Sequence, residues 1–196
     1  MSAAVLSIGT ELTRGELTNS NASWLSAALT DLGFEVIEHV VVDDHEGRII
    51  AALERVAKDA KVIVCTGGLG PTTDDLTTAS VAKALGVGLE RDEGSIDAIR
   101  RRFEKLGRPM NPSNEKQADF PKGAVVLPNP IGTAPGFEVR LGGARAFFMP
   151  GVPREMKQMF EEQVVPRVRE LAPNDSHQLR YRLFGMPESQ VGDKLA

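Results

Sequence analysis

The chain is poor in the residues that make covalent or metal cross-links. Its one cysteine, Cys65, excludes an internal disulfide and a multi-cysteine zinc site. Three histidines, His39, His45 and His177, have no cysteine or histidine partner nearby, a weak pattern for a metal centre. No GxSxG stretch occurs, and His45 is the only histidine near a strand end, so Ser/His/Asp catalysis has no support. Cys65 closes an apolar run and reads as core, not nucleophile. Positive charge is also short. The 23 Lys and Arg against 27 Asp and Glu leave a net charge of −4, which argues against a nucleic-acid or acidic-membrane binder. No apolar run approaches the roughly 20 residues of a membrane span. The opening MSAAVLSIGTEL has no basic segment of a secretory leader, so the expected location is cytoplasmic.

What is present is ordinary globular material. With 41% hydrophobic and 26% charged residues, a sizeable core is possible and disorder is not expected. Residues 3–9, 34–42 and 61–65 are apolar runs of strand length. Between them, Leu25, Ala28, Leu29 and Leu32 form one helical face, with Asn19 or Ser20 as a cap and Gly33 as the stop. A second helix covers 45–58, a third 77–85, a fourth 96–106. Residues 110–117 read as a polar loop with at most one helical turn, and 124–127 as a strand. Residues 136–141 and 145–149 form a hairpin around Gly142-Gly143. A helix over 154–171 must bend or break at Pro166. A linker, a strand over 179–185 and a helix from 187 follow. Alternating strands and helices imply an α/β fold: three layers, doubly wound, with a mainly parallel sheet. The expected division is one domain over 1–171 and a small extension over 172–196.

In such a sheet, ligands sit beyond the carboxyl ends of the strands. Loops 9–21, 43–45 and 66–77 gather there, and the last, TGGLGPTTDDLT, is the richest. Gly67, Gly68 and Gly70 can take positive φ and let main-chain N–H groups face a ligand. The helix that follows offers its N-terminus to a phosphate. The loop is not a Walker A sequence, since no lysine follows, and Thr73 stands where a dinucleotide fingerprint needs its third glycine. The glycines alone fit either an anion loop or a tight turn. Asp74 or Asp75 can cap the helix, but two adjacent carboxylates exceed what a cap requires. Beside a phosphate they need a cation or a proton between, and a divalent metal of unspecified identity held by Asp74, Asp75 and Glu11 meets that need.

Asp43 and Asp44 read as the cap of the second helix, and Arg100, Arg101 and Arg102 as a solvated helix face. Two late loops, PNPIGTAPG at 128–136 and MPGVPREM at 149–156, can close the site. Pro153 leaves free N–H groups at a helix start. Arg154 can reach a phosphate or pair with Glu155.

These motifs carry a resemblance. TGGLGPTTDDLT resembles the signature of the molybdopterin-binding domains of molybdenum-cofactor biosynthesis. With GTEL at 9–12, Gly15, Asn19, NPIGTAPG and MPGVPREM, it is similar to the N-terminal domain of the CinA, or competence/damage-inducible, family. The resemblance spans Gly9 to Met156, essentially the whole main domain. It implies metal-dependent hydrolysis of ADP-ribose to AMP and ribose 5-phosphate. From the residues themselves, Asp75, with Asp74 or Glu11, is expected to place the cation and carry the catalysis. Gly67, Gly68, Gly70, Thr77, Asn19, Gly132, Thr133, Pro150, Gly151 and Arg154 are the expected substrate contacts. In the molybdopterin relatives, the aspartate matching Asp75 acts at the pterin phosphate site. Longer family members continue through a middle domain, whose start residues 179–196 resemble, into an amidohydrolase domain. The expected partners are a small phosphorylated nucleotide or pterin and a second copy of the chain in a homodimer, with no nucleic acid and no membrane. Two alternatives stand beside hydrolysis: a pterin-phosphate binding or adenylyl-transfer module, and a non-catalytic interaction domain.

Overall fold

The computed structural model describes residues 1–172 and, beyond them, residues 184, 185, 187, 190 and 191. Apart from those five positions, the expected strand 179–185 and helix 187–196 lie outside the described residues. Among the described residues no helix is long and apolar enough to cross a membrane.

The chain alternates from its start. Strand β1 (Ser2–Ile8) is followed by a one-turn helix α1 (Thr10–Thr13), helix α2 (Ser20–Asp31), β2 (Glu35–Val42), α3 (Glu46–Val56), β3 (Val62–Thr66) and α4 (Thr77–Leu85). Strands β1 and β2, β1 and β3, and β3 and β8 (Ala144–Met149) pair in parallel. Two antiparallel strands, β7 (Gly136–Leu141) and β6 (Val125–Leu127), complete a six-stranded sheet of order β2-β1-β3-β8-β7-β6. The mainly parallel α/β sheet expected from the sequence is the one observed.

The sheet is covered on both faces, so its central strands are apolar along most of their length. Alternation along each strand sorts the side chains into two cores. Leu6, Ile63, Cys65 and Phe148 face α3 and α4, against Ile49, Leu53 and Val81. Val5, Val62, Val64 and Phe147 face α2 and the C-terminal helix, against Leu25, Leu29, Met156 and Phe160. All five residues of β3 are buried. Burying each large aliphatic side chain stabilises the fold by about 1.5–3 kcal/mol, which is why so short a strand holds the sheet centre.

Three elements depart from the sequence reading. The polar stretch at 110–117 is a full 3-10 helix, Pro112–Ala118, held by a capping box between Asn111 and Asn114. A two-stranded sheet of β4 (Leu89–Arg91) and β5 (Asp119–Pro121) flanks α5 (Glu93–Lys105); β4 is exposed at every residue and gives no apolar alternation to read. The expected long final helix is α6 (Pro153–Met159), a π-helical turn over Phe160–Val164, and a short α7 (Val165–Val168). Pro166 has no N–H to donate and its ring crowds the preceding turn, and the wider π turn relieves that crowding.

Candidate functional site

Because β2, β1, β3 and β8 are mutually parallel, their carboxyl ends meet at one edge of the sheet. The chain leaves β1 toward β2 on one side, while β3 lies on the other, so a crevice opens at the reversal. A cleft of about 640 Å³ occupies it. Its floor is Gly67 to Pro71 after β3, and its walls come from Gly9 to Asn21, Asp44, Thr133, and Pro150 to Pro153.

The glycine floor is shaped by close approach. Gly67 has φ 100°, and a Cβ there would lie 2.0 Å from the Ile8 carbonyl oxygen of β1. Gly68 has φ 65°, and a Cβ there would meet the Thr77 hydroxyl. Both positions disfavour any residue with a side chain. The Gly67 N–H donates to the Met149 carbonyl at 3.0 Å, so it is not available to a ligand. The N–H groups of Gly68, Leu69 and Gly70 have no acceptor among the described residues. Thr77, expected as a substrate contact, is fully buried. Its hydroxyl donates to the Gly67 carbonyl at 2.9 Å and its N–H to the Gly68 carbonyl at 3.2 Å. It braces the floor from beneath, because a buried hydroxyl needs an internal partner.

The acids take different roles from those of helix caps. The α4 N-cap is Leu76, with no side-chain cap. Asp75 instead turns back on its own loop and accepts the N–H of Thr72 at 2.9 Å and the Thr72 hydroxyl. Asp74 is exposed, and its carboxyl is held below the ordinary carboxylate value, first by the Thr72 hydroxyl, then by its own main-chain N–H and the charge of Lys116. That hydroxyl lies against both carboxylates with a single proton to give. Lys116 and Gln117 tie the loop to the 3-10 helix. The Lys116 ammonium donates to the carbonyls of Thr72 and Asp75, the latter at 2.7 Å, and the Gln117 amide to that of Leu69 at 3.4 Å.

Asp44 is not a cap either. His45 holds the N-cap of α3, and Asp43 pairs with Arg48. The Asp44 carboxylate accepts the Thr10 N–H at 2.8 Å and its hydroxyl at 2.9 Å, fastening the loop that carries Glu11. Asn19 caps α2 through Ala22 N–H and also accepts from the buried Ser7 hydroxyl. Asn21 reaches across to the Gly151 carbonyl at 2.8 Å.

Glu11, Asn19, Gly67, Gly68, Gly70, Asp74, Asp75, Thr133, Pro150 and Gly151 therefore share one cleft, and Asp44, Gln117 and Glu155 join them there. Gly132 lies behind the wall, under the Glu155 carboxylate, and Arg154 is exposed and does not line the cleft. The lining holds five carboxylates, Glu11, Asp44, Asp74, Asp75 and Glu155, and no lysine, arginine or histidine. The three expected metal ligands do not assemble a cage of their own: no group of three His, Cys, Asp or Glu side chains among the described residues is placed to hold an ion. One or two carboxylates at a time can still share an ion with phosphate oxygens, the way Mg²⁺ is usually held at phosphate sites. Of the missed residues, Asp44 had a legible signal, its place just after a parallel strand, but an Asp-Asp pair before a helix also reads as a cap.

The probable molybdopterin binding domain model matches residues 4–170. A crystal structure of "the protein CinA with unknown function" from Thermoplasma acidophilum superposes with a TM-score of 0.78 at 32% identity, covering 86% of this chain and 97% of that one. The chain belongs to the CinA branch of this molybdopterin-binding domain family. A CinA-like protein from Anaeromyxobacter sp. (strain Fw109-5) is 44% identical over 95% of this chain and 46% of its own length. One from Geobacter sulfurreducens is 42% identical over 100% of this chain and 48% of its own. The chain thus spans about half the length of these CinA-like relatives. At fold level alone, it is similar to the molybdopterin biosynthesis enzyme MoaB of Thermus thermophilus, with a TM-score of 0.55 at 17% identity over 85% of this chain and 90% of that one.

Proposed function

We propose that the cleft binds a nucleotide diphosphate together with a divalent cation and hydrolyses its pyrophosphate bond, with ADP-ribose giving AMP and ribose 5-phosphate. The observation that carries this reading is the lining: five carboxylates and no basic side chain around a floor of unpartnered main-chain N–H groups. A bare diphosphate is repelled by such a wall, whereas one that arrives with a cation is attracted. The diphosphate lies over Gly68 to Gly70 and accepts their N–H groups. Asp74, whose carboxyl is held below its ordinary value first by the Thr72 hydroxyl, offers the cation a charged oxygen, and Asp75 stands beside it. When bound, the cation withdraws charge from phosphorus as a Lewis acid. Glu11 takes the proton of the attacking water. The new P–O bond forms as the bridging P–O bond breaks, leaving AMP and ribose 5-phosphate.

The family description favours a second reading, in which the same cleft holds a pterin phosphate. Incubation with ADP-ribose and a panel of divalent metals, with AMP resolved by chromatography, separates the two. Metal-dependent release of AMP supports hydrolysis. No AMP with any metal, together with tight binding of a pterin phosphate, overturns it.

A further inference from the structure

A second cleft, of about 410 Å³, lies between α5 and the loop after β6. Thr133 lines both clefts, so the two adjoin across that loop. Their electrostatics are opposite. The second is lined by Arg101, Arg102 and Lys105, with Asp92 the one acid. Asp92 is already engaged, capping α5 by accepting the Ser95 N–H at 2.7 Å.

The sequence reading of a solvated arginine face holds for Arg100, which pairs with Asp97 on the surface, and for the exposed Arg101, but not for Arg102. Arg102 is half-buried and donates to the Ile131 carbonyl. Arg101 and Lys105 are exposed and have no acidic partner among the described residues. They stand four residues apart on one helix, where like charges destabilise it. Three cations and a single carboxylate, Asp92, line one concavity, and that excess of positive charge makes an anion site; two arginines supply the planar forks that suit phosphate oxygens. The facing wall is a rigid, largely apolar loop, with Pro128, Pro130 and Pro135 and Val126 beside Asn129 and Thr133. Such a wall suits the face of a ring, not a second charge.

We infer that this cleft is a separate binding site for a phosphate monoester carrying a flat ring, with the phosphate on Arg101, Arg102 and Lys105 and the ring on the prolines. It needs no metal, in contrast to the acidic cleft, and it stands or falls independently of the hydrolysis proposed above.

Calorimetric titration with AMP in EDTA at low ionic strength tests it. One site is expected, with AMP binding more tightly than inorganic phosphate and adenosine giving no heat. Arg101→Ala should weaken AMP about tenfold, the loss of one charge-assisted hydrogen bond, and Arg101→Ala with Lys105→Ala further still. Both side chains are exposed, so circular dichroism should show these variants folded. Asp75→Asn should leave the AMP affinity in EDTA unchanged. No AMP binding in EDTA overturns the inference. So does an affinity that changes with Asp75→Asn but not with the α5 variants.

Discussion

Replacing Gly67 by alanine should damage the fold more than any ordinary glycine substitution. The φ of 100° places the residue where a Cβ is strained, at a cost of about 1–2 kcal/mol. The new Cβ would also sit 2.0 Å from the Ile8 carbonyl oxygen, where real contacts essentially never fall under 3.0 Å, so main chain must withdraw by about 1 Å. Little can give. Ile8 closes β1, which pairs with β2 on one side and β3 on the other. Overpacking of this kind adds about 1–3 kcal/mol. The combined loss of about 2–5 kcal/mol corresponds to a melting temperature lower by roughly 5–20 °C in a domain of this size. Gly15→Ala is the matched control. It also has positive φ, 73°, but nothing lies within 4 Å of its added Cβ. It should show only the conformational cost, a drop of about 2–8 °C. Thermal melts followed by circular dichroism, with urea titrations to confirm an unchanged m-value, measure the difference. Equal drops for the two variants, or a Gly67→Ala protein melting within about 2 °C of the parent, would refute the close approach of the two strand ends.

Four further outcomes are expected. Asp75→Asn should lower ADP-ribose turnover by about 10²–10⁴-fold, read as AMP release at saturating metal; unchanged turnover removes Asp75 from the reaction. The Asp74 carboxyl lies below its ordinary value of 3.8 in the folded protein, so its contribution to stability is complete above that pH and fades as the pH falls through the lowered folded value. Thr72→Val should move the Asp74 titration upward in carboxyl ¹³C NMR, since the Thr72 hydroxyl is the largest cause of the shift. Burial pushes the Cys65 thiol well above its ordinary range, so iodoacetamide at pH 8 should leave the native protein unmodified and label it only in denaturant.

Much of this fold is legible because its signals are local. The runs AAVLSI and VIVCT read as strands buried on both faces, and Leu25 and Leu29 mark the buried side of α2, with Asn19 as its cap. The glycine floor is legible as an unusual backbone. What escaped depends on contacts between distant segments. Whether Thr77 faces a ligand or the interior is decided by the Gly67 carbonyl above it. Asp44 serves Thr10, 34 residues earlier, which no cap rule can reveal. Arg101 and Arg102 become part of a cleft only because the 128–135 loop folds against α5. The three-residue β4 has no apolar pattern, and its pairing with β5 is fixed by segments about 30 residues apart.

The strand order also bears on how the chain emerges from the ribosome. β1, β2 and β3 can pair as soon as residue 66 is free, but the far edge of β3 stays bare until β8, residues 144–149, has been translated. An intermediate with that edge open presents VIVCT, a strand buried along its whole length in the finished fold, to any neighbouring nascent chain. Fragments that end before Ala144 should therefore collect in inclusion bodies, and a chaperone that shields the half-built sheet should act during this interval of synthesis and not after it.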